Sequence, residues 1–463
     1  MSNTTKIYHR FAEEKLKTWY NSADRKPLIL LGARQVGKTT LIRHFASKYA
    51  SAFYYLDLED PQVYARFSTF DSVEKIINSL EVIYQQPLKY NGLIFLDEVQ
   101  NQPHIIKLLR YFKEKYPQYA VVVSGSWLNV YLSQMSRQKS FSFPVGRVEF
   151  MTLFPFTFLE YLSAKNPQAY SKLVEDPVKA AESLHEFYMR EFVDYLLIGG
   201  MPEALRSCNL RPCYKVEKVH NYVLNTIIHD IKNYLPQDPQ LTIKIFNTIY
   251  SNPGETFSKS KLLPNVSHYL IQKLLYSLED SFLIYPAKRT YSVKLPITPA
   301  PKNATKYLAL DTGLTLSFNG LFKGFLELAD NFAELFEVMD NTHKGKLMEQ
   351  VAGQLLLPTF YPTYLSRINN MYYWQNQGGK AEIDFLLQHK HYLVGVEVKS
   401  GKVGKLRSLI NFLNTAKYSI GVRIYAGPLR LERISLSPKP IISVPFYLVE
   451  FLPQLFNIYK LDR

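Results

Sequence analysis

Short, unbroken apolar runs dominate the first third of the chain, where an exposed sheet would show alternating ones. Pro27-Leu28-Ile29-Leu30-Leu31, Phe53 to Leu58, Gly92 to Leu96 and Tyr119 to Val123 are each about one strand long and leave no face for water. Between them the period changes. Thr40 to Ala46 and Ile105 to Tyr116 carry apolar residues three and four apart, the spacing of a helix with one buried face. Alternating strands and helices of this kind predict an α/β domain over residues 1–165, a parallel sheet with covering helices. Phe150 to Leu162, rich in Phe and Leu, reads as the packed exit from it.

Beyond that point the pattern is helical from about Pro177 to Leu235, interrupted by Gly199-Gly200-Met201-Pro202-Glu203, a tight turn by composition. No chemistry follows from that turn alone. From Gln240 to Tyr291 a short helix (Ser258 to Leu263), a Pro264-Asn265 turn, a longer amphipathic helix (Ser267 to Asp280) and a strand (Phe282 to Tyr285) predict a winged helix. Its Lys273, Lys288 and Arg289 are candidate phosphate contacts, and use of the same module for protein packing is an equal reading. The expected division is 1–165, a helical region 166–238, a winged-helix-like segment 239–295 and a final α/β domain 296–463.

The first strand runs into Gly32-Ala33-Arg34-Gln35-Val36-Gly37-Lys38-Thr39, followed by Thr40 and the helix: a G-x-x-x-x-G-K-[ST] phosphate loop in its proper context. Glycines let backbone N–H groups close on a phosphate, Lys38 reaches the β and γ oxygens, and the Thr39 hydroxyl serves Mg²⁺. The strand Gly92 to Leu96 ends in Asp97-Glu98. Asp97 suits the Mg²⁺ shell, and Glu98 suits orientation of the attacking water. That glutamate favours ATP hydrolysis, and the absence of Asn-Lys-x-Asp speaks against a guanine-nucleotide switch. Ser124 and Ser126, at the end of another buried strand, are placed either to sense the γ-phosphate or to cap the next helix. Arg147, in Pro144-Val145-Gly146-Arg147, is a candidate arginine finger in cis or on a neighbouring subunit.

A second constellation lies near the other end. Glu382 to Leu387 and Leu393 to Lys399 read as a hairpin turning at His389-Lys390. Strict alternation puts Ile383, Phe385 and Leu387 on one face with Tyr392, Val394, Val396 and Val398, and gathers Glu382, Asp384, Glu397 and Lys399 on the other. A two-residue turn there pairs Asp384 with Gly395, diagonally beside Glu397. This D-x(12)-E-x-K arrangement matches the core of PD-(D/E)xK nucleases: Asp384 and Glu397 as ligands of a divalent metal, and Lys399 positioning water or stabilising phosphate charge. The competing reading is the solvated face of a half-buried hairpin. Glu349 is a possible further acid, and Lys402, Lys405 and Arg407 are possible phosphate contacts.

These landmarks, with Ser124-Gly125-Ser126, Gly146-Arg147, the Gly199 to Glu203 turn and Tyr307-Leu308-Ala309-Leu310-Asp311-Thr312-Gly313, resemble a prokaryotic family of AAA-type ATPases with a C-terminal domain of unknown function. The resemblance covers most of the chain. It implies an ATP-binding domain, a winged-helix segment and a nuclease-like C-terminal fold; where that family has a proline after the first loop glycine, this chain has Ala33.

Composition adds three constraints. No apolar stretch approaches the roughly 20 residues that span a bilayer, and the start lacks an apolar signal core, so no membrane partner is expected. Two cysteines, Cys208 and Cys213, are too few for a zinc site or a disulfide framework, which favours the cytoplasm. A net charge of +15 and a pI near 9.3 favour a polyanion partner, DNA ahead of RNA. The expected cofactors are ATP and Mg²⁺. The leading expectation is an ATPase whose nucleotide state is coupled to DNA binding or metal-dependent cleavage. The alternative is a nucleotide-controlled switch or scaffold that recruits a protein partner or a second copy, with a catalytically inactive nuclease-like domain.

Overall fold

In the computed structural model of the chain the described residues are 7–67, 71–135, 143–144, 146–208, 213–235, 238–301, 304–328, 341–361, 371–401 and 404–462. Residues up to Phe154 form one compact unit, and most of the remainder forms a second.

In the first unit β1 (Leu28–Leu31), β2 (Phe53–Asp57), β3 (Leu93–Asp97), β4 (Ala120–Ser124) and β5 (Glu149–Thr152) make a parallel sheet in the order β2-β3-β4-β1-β5. Every residue of β1, β3 and β4 is buried, as the unbroken apolar runs require of central strands covered on both faces. β2 alternates between buried and half-buried positions and sits at the edge. The β1 and β3 ends, flanking β4, bring the phosphate loop and Asp97-Glu98 to one end of the sheet, where open α/β sheets bind ligands.

The second unit is built on a nine-stranded mixed sheet. Its strands are β6 (Thr256–Phe257), β7 (Ile284–Thr290), β8 (Thr305–Ala309), β9 (Met371–Gln375), β10 (Glu382–His389), β11 (Tyr392–Val398), β12 (Ser419–Tyr425), β13 (Arg430–Glu432) and β14 (Ile441–Pro445), ordered β13-β14-β12-β11-β10-β9-β7-β8-β6. The segments expected as separate pieces, 239–295 and 296–463, therefore share one sheet, because β7 pairs with β9 in parallel. Helices Lys259–Leu262 and His268–Asp280 lie where their periodicity places them. Cys208 and Cys213 are joined by a disulfide, one local link across five positions where the sequence suggested none.

The glycine turn finds its partner in this unit. Helix Pro177–Ile198 ends at Gly199, whose φ of +73° disfavours any side chain. The Gly200 N–H donates to Asp311 Oδ2 at 2.6 Å, and the Gly200 carbonyl accepts from Phe156 N at 2.7 Å. Asp311 also caps helix Thr312–Phe318 through Leu314 N and accepts from Gln354 Nε2. The Gly199 to Glu203 and Tyr307 to Gly313 motifs thus meet in one buried junction through Gly200 and Asp311, with a structural role.

Burial raises the Asp311 carboxyl to about 6 against several hydrogen bonds that oppose it, and raises Glu450, which accepts from Leu159 N, to about 8. Both folded values lie above the ordinary carboxyl value, so the folded chain holds protons that the unfolded chain releases. Their stability contribution is complete below about pH 4 and is lost as pH rises through 6 and then 8. The urea midpoint should therefore fall between pH 5.5 and 8, and Glu450→Gln should flatten the upper part of that fall. An unchanged slope in Glu450→Gln would assign the dependence elsewhere.

Candidate functional sites

The phosphate loop spans the gap between β1 and helix Lys38–Tyr49. Gly32 has φ +145°, and a Cβ there would stand 2.3 Å from the Leu153 carbonyl oxygen, so only glycine fits. Gln35 and Gly37 also take positive φ, 64° and 96°, which folds the loop back over the helix start. Ala33 and Val36 are buried beneath it, Arg34 and Gln35 are half-buried, and Thr40 is exposed on the first helical turn. Lys38 is buried and donates to the Gly32 and Ala33 carbonyls, both at 3.0 Å. Burial pulls its ammonium below the usual lysine value, opposed by the charges of Glu98 and Asp97.

Asp97 is the hub of the site. The Thr39 hydroxyl donates to its Oδ2 at 2.6 Å, and the Ser124 hydroxyl donates to its Oδ1. Burial raises this carboxyl and the two hydroxyls partly offset the shift. A magnesium site built from a loop threonine and a strand-end aspartate needs these two oxygens beside each other, and here they touch. The donor set therefore fits Mg²⁺ carrying a nucleotide.

Glu98 takes a left-handed conformation, φ 53°, that turns its side chain away from β3. Its Oε2 accepts from Gln100 Nε2 at 2.6 Å and from Ser126 N at 3.2 Å, and its Oε1 from the Ser126 hydroxyl at 3.2 Å. Ser124 thus acts on Asp97 and Ser126 on Glu98. Arg147 pairs with Glu114 at 3.1 Å and is half exposed, on the outside of its own unit. Sequence reasoning missed Arg10. Its buried guanidinium donates to the Val36 carbonyl at 3.0 Å and the Phe154 carbonyl at 2.6 Å, tying the loop to the chain that leaves β5. Nothing in the periodicity around Arg10 points to residues 26 and 144 positions away.

The carboxylates of the second unit meet differently from the expected hairpin. The pairs are Phe385 with Val396, Leu386 with Gly395 and His389 with Tyr392, so the turn is Lys390-His391 and the register lies two residues from the expected one. A two-residue shift keeps each face, because the side-chain period is two. A bulge does not. Pairing with β9 slips between Ile383 and Leu386, and Ile383 joins Leu386, Leu393 and Phe412 in one apolar cluster. Phe385 instead lies against Gly353 of helix Asn341–Phe360. Ile383 and Phe385 therefore do not share a face, and the bulge re-aims Asp384 between them.

Asp384 Oδ2 accepts from Val398 N at 2.7 Å. Its Oδ1 lies 3.6 Å from the ammonium of Lys306, which is 2.6 Å from Glu349 Oε2. Lys306 comes from β8, its side chain is 3% exposed, and its ammonium sits 5.4 Å from the Phe385 ring centre and 5.5 Å from that of Tyr373. Glu397 Oε1 accepts from Lys399 Nζ at 2.6 Å, while its buried Oε2 has no hydrogen-bond partner. Burial and then the Asp384 charge raise both Glu349 and Glu397. Gln375 Nε2 reaches Glu382 at 3.3 Å. Lys405 and Arg407 are exposed, and Lys402 lies outside the described residues.

Asp384 and Glu397, the expected pair of metal ligands, both stand in this cluster. Among the described residues no group of three His, Cys, Asp or Glu is disposed to hold a metal ion. Lys306, Lys399 and the Val398 N–H engage one oxygen each of Glu349 and Glu397 and both of Asp384, while Glu397 Oε2 has no hydrogen-bond partner. The site as it stands does not fit that ion.

Residues 24–162 match the family model described as an AAA domain. This part of the chain is an AAA-type P-loop ATPase domain. Residues 189–324 and 344–446 match two models described as domains of unknown function, DUF8612 and DUF4143. The chain is 23% identical over 302 residues to an uncharacterized protein of Haemophilus influenzae, covering 62% of this chain and 67% of that one. It is 23% identical over 347 residues to an uncharacterized protein of Methanocaldococcus jannaschii, covering 65% and 69%. Among solved structures it is similar to a Walker-type ATPase of Pyrococcus abyssi, with 14% identity, 67% of this chain and 96% of that chain covered, and a TM-score of 0.44. It is also similar to the Thermotoga maritima RuvB Holliday junction branch migration motor, with 15% identity, 61% and 90% coverage, and a TM-score of 0.28. Among the described residues no helix is long and apolar enough to cross a membrane.

Proposed function

We infer that this chain hydrolyses ATP and couples its nucleotide state to the binding of a nucleic acid, DNA ahead of RNA. The observation that carries the first half is the direct bond from Thr39 to Asp97 beside the buried ammonium of Lys38. Lys38, now on the Gly32 and Ala33 carbonyls, would serve the phosphates of ATP, and Thr39 and Asp97 would hold the magnesium. The ion, when bound, neutralises charge developing between those phosphates. Glu98, held by Gln100 and Ser126, would orient the attacking water. Arg147, half exposed and paired with Glu114, is the candidate finger, in cis or toward a neighbouring copy.

Charge supports the second half. The net +15 is joined by a basic and aromatic surface on the elements that follow the winged-helix order, β6, helix Lys259–Leu262, helix His268–Asp280, β7 and β8. Lys261 and Tyr269 are exposed there, and Lys273 stacks its ammonium 4.6 Å from the Tyr269 ring centre. Lys259, Lys288 and Arg289 line one groove of the same segment. Ammonium groups interleaved with an exposed aromatic suit phosphates and a base or sugar face. The order helix Asn341–Phe360, β9, β10, β11, helix Arg407–Thr415, β12 supports a PD-(D/E)xK-like C-terminal fold. The Lys306 contacts favour the variant of this reading in which that fold no longer cleaves.

Phosphate release in Mg²⁺ by wild type and Lys38→Ala, with anisotropy of a labelled duplex over a salt series, tests both halves. Turnover lost in Lys38→Ala, and an affinity falling about 10³-fold or more between 50 and 200 mM salt, is the expected result for six or more phosphate contacts. Salt-independent binding, or none, would move the chain to a protein-recruiting switch.

A further inference from the structure

Helix His268–Asp280 presents two different faces. Tyr269 is exposed on the outer one, with the Lys273 ammonium 4.6 Å from its ring centre. Gln272, Leu275, Tyr276 and Glu279, three and four positions apart, form the other and cover a groove of about 220 Å³. Pro286 and Lys288 of β7, and Thr305 and Tyr307 of β8, line it from the sheet. Each pair is two positions apart, as one face of a strand requires. Lys306, between Thr305 and Tyr307, turns to the opposite face and to Glu349, so the groove and the acidic cluster are separate places. The inner wall is apolar, with Leu262, Leu275 and Tyr307 buried. Charge collects at the same groove. Lys259, Lys288 and Arg289 line it, and Glu279 is the one acid among its described lining residues. All four are half-buried, unlike Lys261, an exposed lysine of the same segment. Arg289 Nη1 donates to Gln375 Oε1 at 3.3 Å, which holds the guanidinium at the wall.

We propose that this groove takes one unpaired nucleotide of a nucleic-acid strand, its phosphate on Lys259, Lys288 and Arg289 and its base against Tyr276. The inference rests on the nucleic-acid half of the reading above and narrows it to strands that offer an unpaired base. Size limits the occupant, because about 220 Å³ is less than the roughly 300–1,000 Å³ of sites for drug-sized ligands. The lining then sets its chemistry. A bare phosphate would leave the Leu262, Leu275 and Tyr276 wall uncovered, and an apolar ligand would desolvate three cations without pairing them. A nucleotide answers both, with charge at one end and a flat ring at the other. Gln272 and Glu279, on the same helix face as Tyr276, supply a carboxamide and a carboxylate to the edge of that ring. A base inside a duplex is stacked and paired, so it enters a recess only after leaving the stack. A blunt duplex therefore reaches the outer cations, Lys261 and Lys273, through its phosphates alone.

The test is the anisotropy of three labelled DNAs with the full chain, without ATP and at one salt concentration. They are a single strand, a blunt duplex of that sequence, and the same duplex with one unpaired central nucleotide. The single strand and the interrupted duplex should bind about tenfold more tightly than the blunt duplex, the effect of stacking one base on one aromatic ring. Gln272→Trp, which fills the groove and changes no charge, should erase that difference and leave the blunt duplex where it was. Equal affinity of wild type for all three DNAs would overturn the proposal and leave nucleic-acid binding standing, whereas no binding to any of them would overturn both. A difference that survives in a folded Gln272→Trp would place the unpaired nucleotide elsewhere and overturn the groove. Should Gln272→Trp fail to fold, Lys288→Gln decides. A loss confined to the two DNAs with unpaired nucleotides agrees with the proposal, and an equal loss across all three contradicts it. Thymidine monophosphate, added at the strand's own nucleotide concentration, should leave the single strand bound. Displacement would make the groove a mononucleotide site and overturn its assignment to a strand.

Discussion

Glu98→Gln lowers the rate of ATP hydrolysis by about 10²–10⁴, the range for a positioned carboxylate acting on the attacking water, while nucleotide affinity stays close to wild type. The substitution is nearly isosteric, and the glutamine oxygen can still accept from Gln100 and Ser126, so the loop after β3 keeps its shape. What disappears is the negative charge. Lys38, Thr39 and Asp97, proposed to hold the phosphates and magnesium, keep their hydrogen bonds, although Lys38 loses one of the two charges that oppose the effect of its burial. Single-turnover phosphate release together with equilibrium binding of a fluorescent ATP analogue separates the two effects. A variant that hydrolyses at the wild-type rate would remove Glu98 from the chemistry. Loss of binding instead would make it a structural residue of the loop.

The second large effect falls on stability. Gly200→Val should destabilise the second unit by about 3–5 kcal/mol, the sum of overpacking and of hydrogen bonds broken in a buried place. A Cβ at this position would stand 2.3 Å from the Phe156 carbonyl oxygen and 2.8 Å from Phe156 N. These are backbone atoms, which cannot rotate aside. Any relief must open the bonds from Gly200 N to Asp311 and from Phe156 N to the Gly200 carbonyl. Asp311→Asn should cost less, because the amide oxygen retains one acceptor for the Gly200 N–H or the Leu314 N–H. Urea midpoints followed by far-ultraviolet circular dichroism give the comparison. A Gly200→Val protein as stable as wild type would show that the junction is not rigid.

The strand, loop and helix start of the candidate nucleotide site are legible because their signal is local. Eight consecutive residues, Gly32 to Thr39, specify strand, turn and helix start, and Asp97-Glu98 closes an unbroken apolar run that can only be a central strand. Ser124 was seen as a candidate but not its target, since pairing β3 with β4 is a long-range fact. The C-terminal hairpin was legible from alternation, yet a bulge breaks alternation without leaving a glycine or proline to mark it. That is why Ile383 and Phe385 were assigned one face and occupy two. Lys306 was invisible for a different reason. It sits 78 residues from Asp384 inside an ordinary-looking strand, and only the joining of β7 to β9 makes one sheet of the two segments. The paired glycines were read as a turn, and the carboxylate that requires them lies 111 residues away.

The coupling of nucleotide state to nucleic-acid engagement is the central claim, and one binding experiment reaches it directly. Glu98→Gln, expected to hold ATP without consuming it, is titrated into a labelled DNA duplex with ATP, with ADP and with no nucleotide, at one fixed salt concentration. A change in affinity of about tenfold or more between ATP and ADP, worth roughly 1.4 kcal/mol of coupling, is the expected result. Equal affinity in all three conditions would contradict the claim, leaving an ATPase and a basic surface that do not speak to each other.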